Sequence, residues 1–93
     1  MTLRVQVVYA EEEVWSGEAG IVVARTTEGE IGVLGGHQPT LAVLADGEVR
    51  VGSGGIGTAG DALVATIDGG FMSVENDTVL IVAERVQTGA QRR

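Results

Sequence analysis

The chain has no cysteine and no lysine, a single histidine, a single proline, and only three aromatic side chains, Tyr9, Trp15 and Phe71. Without cysteine there is no disulfide, no thiolate nucleophile and no cysteine-ligated metal, a composition that fits a reducing compartment. No apolar run approaches the roughly 20 residues that cross a bilayer. The opening "MTLRVQVVYAEEE" lacks the apolar stretch and small-residue cleavage site expected of a signal peptide. Membrane association is therefore expected only indirectly, through a partner. Basic residues are scarce too: six arginines stand against thirteen carboxylates, for a formal charge of -7. Such a balance repels nucleic acid and anionic lipid and leaves neutral or basic protein as the expected partner.

What is present is glycine and branched aliphatics. Fifteen glycines argue against a helical bundle, and a core short of aromatics has to be built from Val, Ile and Leu. Valine is stiff at χ1 and favours strands. At 93 residues the chain is read as one domain, able to bury roughly 60–65% of its unfolded surface.

Leu3, Val5, Val7 and Tyr9 alternate with polar neighbours, the period of a half-buried strand. The acidic run Glu11–Glu13 reads as a solvated turn. A second segment places Ala19, Ile21 and Val23 on one face, with Gly20, Val22 and Ala24 on the other. Arg25–Gly29 reads as a turn and Ile31–Leu34 as a very short strand. Leu41–Leu44 is read as a strand because Asp46-Gly47 is a hairpin-type signal and Glu48–Val51 alternates beyond it. "GSGGIGTAGD", Gly52–Asp61, reads as a hairpin tip. Strands over Ala62–Ile67, Phe71–Val74 and Thr78–Ala83 follow, separated by Asp68-Gly69-Gly70 and Glu75-Asn76-Asp77. Short apolar strands with turns every eight to twelve residues describe a sandwich or barrel. The expected class is all-β, a flattened β-sandwich of short antiparallel strands, with residues 1–86 as the domain and 87–93 as a disordered tail.

The most unusual stretch is "TTEGEIGVLGGHQPT", Thr26–Thr40. A phosphate loop needs Gly-Lys-Ser/Thr, and there is no lysine. A dinucleotide fingerprint needs Gly-x-Gly-x-x-Gly opening a helix; the spacing of Gly29, Gly32, Gly35 and Gly36 differs, and Pro39 stands where the helix would start. His37 could serve a nearby nucleophile as general base, yet no serine sits in a Gly-x-Ser-x-Gly elbow. A plainer role is to pin its own loop through one imidazole hydrogen bond. One histidine and no cysteine make a zinc site implausible, and no EF-hand spacing follows Asp61, Asp68 or Asp77. Neither a cofactor nor a metal is expected. Glycines beside an exposed carboxylate allow tight turns and close backbone approach, so Glu30 can stand out as a charged docking contact.

Four segments in order resemble one family. "EGEIGVLGGHQP" resembles the "EGExGxxPGHxP" loop of the epsilon subunit of the F-type ATP synthase, and "LRVQVVYAEEEVWSGEA" resembles that family's first two strands. "DGEVRV" and "IDGGFMSVENDTVLIVAE" are similar to its "xGxVxI" strand and "GGFxEVxxNxVTxLAE" hairpin. The resemblance implies a β-sandwich at the foot of the central stalk, without bond chemistry of its own, that contacts the gamma subunit and the membrane c-ring. It implies a peripheral place on the cytoplasmic side of the cell membrane. Carried over by position, the c-ring side would be Glu30, Ile31, Gly32, Val33, Gly36 and His37, while Gly69, Gly70 and Phe71 would be conformational or packing residues of a hairpin. Gly35 stands where the family commonly has Pro, which loosens the loop. The helical pair that follows in longer members has no counterpart in these residues. Two other readings stay open: a small all-β module binding carbohydrate or peptide, for which Trp15 is the candidate aromatic, and an enzyme using His37.

Overall fold

The computed structural model describes residues 3–10, 12–52 and 61–88. Those residues form ten strands: β1 (Leu3–Tyr9), β2 (Glu12–Ala19), β3 (Ile21–Thr26), β4 (Gly29–Leu34), β5 (Thr40–Leu44), β6 (Gly47–Gly52), β7 (Asp61–Ile67), β8 (Gly70–Glu75), β9 (Thr78–Ala83) and β10 (Val86–Thr88). One half of the structure runs β10-β7-β6-β3-β4 and the other β5-β8-β9-β1-β2. Adjacent strands are antiparallel except β1 with β9, which run parallel. The halves meet along one edge of β3. That edge pairs with β6 through Ile21–Val23 and then with β5 at Thr26, opposite Leu44. Backbone bonds from Thr27 N–H to the Val43 carbonyl and from Ala45 N–H to the Arg25 carbonyl, each 3.0 Å, close this joint.

Alternation puts Leu3, Val5 and Val7 of β1 inside with Val79 and Ile81 of β9, and they share one core with Val22, Val49, Val51 and Leu63 from the other half. This is the expected all-β sandwich, its interior almost wholly aliphatic. Trp15 lies partly buried against that core, with its ring over Gly17: a Cβ there would come 2.9 Å from the indole. Tyr9, at the end of β1, is 39% exposed and lies outside the core that Leu3, Val5 and Val7 enter.

Because the chain alternates between hairpins and passages from one half to the other, several local expectations change. Asp46-Gly47 is not a hairpin: β5 pairs with β8, and β6 with β3 and β7. The same holds for Asp68-Gly69, which lead from β7 in one half to β8 in the other. At Gly20 the chain also changes halves, so the inward phase moves by one residue. Ala19 is buried, and after it Val22 and Ala24, whereas Ile21 and Val23 lie on the outer side. The acidic run is not a turn throughout, since Glu12 and Glu13 pair with Tyr9 and Val8 on the free outer strand, where like charges remain solvated. The reversal falls at Ala10, at φ 54°. The turn over Asn76-Asp77 is as expected, with φ of 51° and 58°, the left-handed pair that suits a two-residue hairpin. The glycine-rich tip falls mostly on residues 53–60, outside the described residues. At the other end β10 carries pairing to Thr88, two residues past the expected domain boundary.

The tightest passage is at Gly70, with φ 131°, where a Cβ would fall 2.1 Å from the Val82 carbonyl oxygen and 2.8 Å from the Ala83 Cα. Backbone lies against backbone, and no rotamer change can relieve the clash. Gly70→Ala is expected to lower unfolding stability by about 3 kcal/mol or more. Gly32→Ala, whose added methyl meets nothing within 4 Å, should stay within about 0.5 kcal/mol of the parent. Denaturant midpoints of the two variants check the contrast.

Candidate functional site

The Thr26–Thr40 stretch is mostly strand. β3 and β4 form a hairpin closed by Thr27-Glu28, where Thr26 Oγ1 donates to the Gly29 carbonyl at 2.6 Å and accepts from Glu28 N–H at 3.1 Å. Glu30 therefore lies in β4 directly opposite Arg25, one residue from the hairpin tip, and is exposed. Gly32 shares its outward face. Ile31 packs partly on the core, and Val33 is fully buried, so Val33 anchors the strand and offers no surface.

Gly36 and His37 lie beyond the far end of β4. The rise from Glu30 to Leu34 alone is about 13 Å, so the two polar residues singled out in sequence, Glu30 and His37, do not share one rim. His37 Nδ1 is 2.8 Å from the Gln38 carbonyl and 3.5 Å from Thr40 Oγ1. The first contact requires the proton on Nδ1. The nearer partner belongs to the histidine's own loop, in keeping with a pinning role. The loop is held from outside by Asp77, whose Oδ1 accepts from Gly36 N–H at 2.7 Å.

A second surface escaped the sequence reading. On the outer face of β5-β8-β9-β1, Val43 pairs with Phe71, Phe71 with Val82, and Val82 with Val8. In the next row Leu41 lies opposite Ser73 and Ser73 opposite Leu80. Leu41 is 74% exposed, Val43 61% and Phe71 43%. Phe71, expected as a conformational or packing residue of its hairpin, lies at the centre of an outward apolar face. A shallow depression of about 360 Å³ beside it is lined by Val43, Gly69, Gly70, Phe71 and Val82. Sequence did hold a signal: "LAVL" is apolar at every position, more than a strand with one solvated face requires.

On the opposite outer face, a cleft of about 370 Å³ runs between Arg25, Glu30, Asp46, Glu48 and Arg50 over Val23. Arg50 Nη2 is 3.0 Å from Glu48 Oε1, an exposed pair that contributes little. Asp46 has its pKa pushed above the ordinary Asp range. The causes are a side-chain hydrogen bond with Asp68, the negative charge of Asp68, partial desolvation and the charge of Glu84.

The described residues thus form a small all-strand sandwich with one apolar and one charged outer face. The chain belongs to the family of the ATP synthase Delta/Epsilon chain beta-sandwich domain, which it matches over residues 2–89. It is 50% identical over 84 residues to the ATP synthase epsilon chain of Frankia casuarinae, covering 90% of this chain and 94% of that one. Identity to the epsilon chain of Micrococcus luteus is 48% over 87 residues, covering 94% and 91%. Against the longer Streptomyces griseus epsilon chain it is 48% over 82 residues, 88% of this chain and 63% of the relative. Among solved structures it superposes on a chain of the Euglena gracilis mitochondrial ATP synthase, in an assembly that includes the c-ring. The TM-score is 0.82 and the identity 27%, over 94% of this chain and 53% of that one. A chain from the Tetrahymena thermophila central stalk and c-ring structure shares the fold, with TM-score 0.69 and 19% identity over 91% and 65% of the two chains.

The Asp46 shift sets a pH dependence. A carboxyl whose folded pKa is raised holds its proton to higher pH in the folded chain than in the unfolded one. Losing that proton costs stability, a penalty absent below the ordinary Asp range and complete above the raised pKa. Asp46→Asn is therefore expected to raise the melting temperature at neutral pH and to leave it unchanged in acid below that range. Equal gains at both pH values would show that Asp46 acts through something other than charge.

Proposed function

We propose that this chain is a non-catalytic central-stalk (rotor) subunit of an F-type ATP synthase that links the gamma subunit to the membrane c-ring in proton-driven ATP synthesis. The observation that carries this reading is membership of the Delta/Epsilon family over nearly the whole chain. The Euglena fold match, drawn from a c-ring-containing assembly, supports it. The geometry suits a linker, since two surfaces of different chemistry stand on different sides of one stiff body. Cores packed at crystal-like density transmit strain and do not yield to it, which is what a part carrying torque requires.

The apolar face around Leu41, Val43 and Phe71 is the surface proposed for gamma. Burying each of these side chains contributes about 1.5–3 kcal/mol, enough together to offset a large share of the association cost. The β3–β4 hairpin tip with Glu30 is the part proposed for the polar c-ring loops. There Gly29 and Gly32 leave open space around the strand, and Glu30 offers charge for a basic partner, which guides orientation more than affinity. Ile31 and Val33 hold that strand in place from beneath. In this reading the chain sits peripherally at the cytoplasmic side of the membrane; among the described residues no helix is long and apolar enough to cross one. Trp15, the aromatic on which a carbohydrate- or peptide-binding reading depended, packs over Gly17 at the edge of the core.

The absence of cysteine makes the test clean, because any introduced thiol is unique in the chain. Glu30→Cys, paired with a cysteine in the c-ring loop of the assembled enzyme, should give an oxidative crosslink. Phe71→Ala should weaken capture of gamma by about 30-fold, the size typical of an aromatic anchor, while leaving the crosslink chemistry available. No crosslink in an enzyme that retains this subunit would remove Glu30 from the c-ring side. Undiminished gamma capture by Phe71→Ala and by a Leu41→Ser/Val43→Ser double variant would remove the apolar face.

A further inference from the structure

We propose that Asp77 is the positioning residue that fixes the Gly35–Pro39 loop, and with it the orientation of His37, in the form in which a partner meets it. Asp77 is the second residue of the β8–β9 turn, at φ 58°. Its backbone and side chain are both engaged. The carbonyl accepts from Arg4 N–H at 2.8 Å, tying the turn to the start of β1. The carboxylate reaches across to Gly36 N–H, 41 residues earlier in the chain, at 2.7 Å. That distance is typical of a charge-assisted bond, roughly twice as strong as a neutral one.

The loop has little else to define it. Gly36 is at φ 83°, and Gly35 before it is equally free of side-chain restraint. Residues 37–39 lie outside any strand. The backbone tie inside the loop, from His37 N–H to the Leu34 carbonyl, is long at 3.2 Å. The imidazole bonds to the loop's own Gln38 carbonyl at 2.8 Å, and its contact with the hydroxyl of Thr40, the first residue of β5, is long at 3.5 Å, so the ring ties the loop to the body only weakly. Thr40, where β5 begins, donates to the Gln38 carbonyl at 3.0 Å and holds the loop's trailing end; among the described residues, Asp77 is the side chain that holds its glycine end, from a turn distant in sequence. Where Gly35 replaces a conformationally fixed residue, a bond at the next amide restores the definition that the chain itself does not supply. A loop already ordered in the free protein need not be ordered on contact, so Asp77 acts on binding through the loop and touches no partner itself. The step from loop order to coupling rests on the rotor reading above; the step from Asp77 to loop order does not.

The test separates the two. Amide hydrogen exchange is measured on the full chain carrying Asp77→Gly, which keeps the left-handed turn and loses the acceptor, and Asp77→Asn, which keeps an acceptor oxygen. Asp77→Gly is expected to speed exchange at Gly36 by about 10-fold or more, with the β1 and β9 amides unchanged. Asp77→Asn is expected to hold Gly36 within about 3-fold of the parent. Unchanged Gly36 exchange in Asp77→Gly overturns the proposal. So does equal acceleration across β1, β8 and β9, which would make Asp77 a turn residue and nothing more. The same variants in the assembled ATP synthase should show ATP-driven proton pumping reduced in Asp77→Gly and restored in Asp77→Asn. A freed loop with pumping intact would uphold the loop assignment and overturn its coupling role.

Discussion

Everything in this molecule hangs on the one edge of β3 that serves two strands. Its first three residues pair with β6 and its last with β5, and two 3.0 Å backbone bonds at Thr27 and Ala45 close the corner. Without that shared edge, the two five-stranded halves would be separate sheets, each with an apolar side facing water. With it, Leu44 and Val22 enter the same interior as Val5 and Ile81. The joint also decides what faces outward, because it fixes which side of β5 can pack. Ala42 and Leu44 turn in, and Leu41 and Val43 are left out.

A chain that repeatedly passes between two halves uses, at several of the passages, a residue that can bend tightly or lie against backbone. Among the described residues, Gly20, Gly47, Gly69 and Gly70 stand at such passages. Gly70 stands against the Val82 carbonyl, and Gly47 lies 3.2 Å, measured from an ideal Cβ, from the Arg25 side chain. In sequence a passage and a hairpin look alike. Asp46-Gly47 has the letters of a hairpin, and nothing local says that the strand after it pairs elsewhere. Pairing partners are long-range facts, whereas alternation is a local one. The strands at Leu3–Tyr9, Phe71–Val74 and Thr78–Ala83 were therefore legible, and so was the left-handed Asn76-Asp77 turn. The change of phase at Gly20 was not, since it follows from the passage and not from any run of residue types.

The candidate site divides the same way. Glu30 was legible as an exposed carboxylate near glycines, but its position in a paired strand opposite Arg25 was hidden by reading glycine as loop. Val33 belongs to the rim by resemblance alone, and only its complete burial shows that it would shape that rim from beneath and not by surface contact. Resemblance makes Phe71 a packing or conformational residue of its hairpin and says nothing of which side of the sheet it faces. Only the row Val43–Phe71–Val82 shows it facing out. Asp77 had no visible partner in sequence, because its ligand is an amide 41 residues away.

The acidic balance and the apolar face have to be considered together. A body at -7 discourages copies of itself from meeting, yet three large side chains on β5 and β8 remain open to water. Like-charge repulsion acts over a Debye length of about 8 Å at physiological salt, while apolar burial acts only at contact. An approaching basic surface gains from both and a neutral one from burial alone, whereas a second copy gains from burial and is opposed by charge. In the proposed docking role, the combination selects a partner of opposite or no charge and leaves the binding energy with Leu41, Val43 and Phe71. Specificity and affinity then reside in different residues, so charge substitutions around the face should alter the rate of encounter more than the lifetime of the complex.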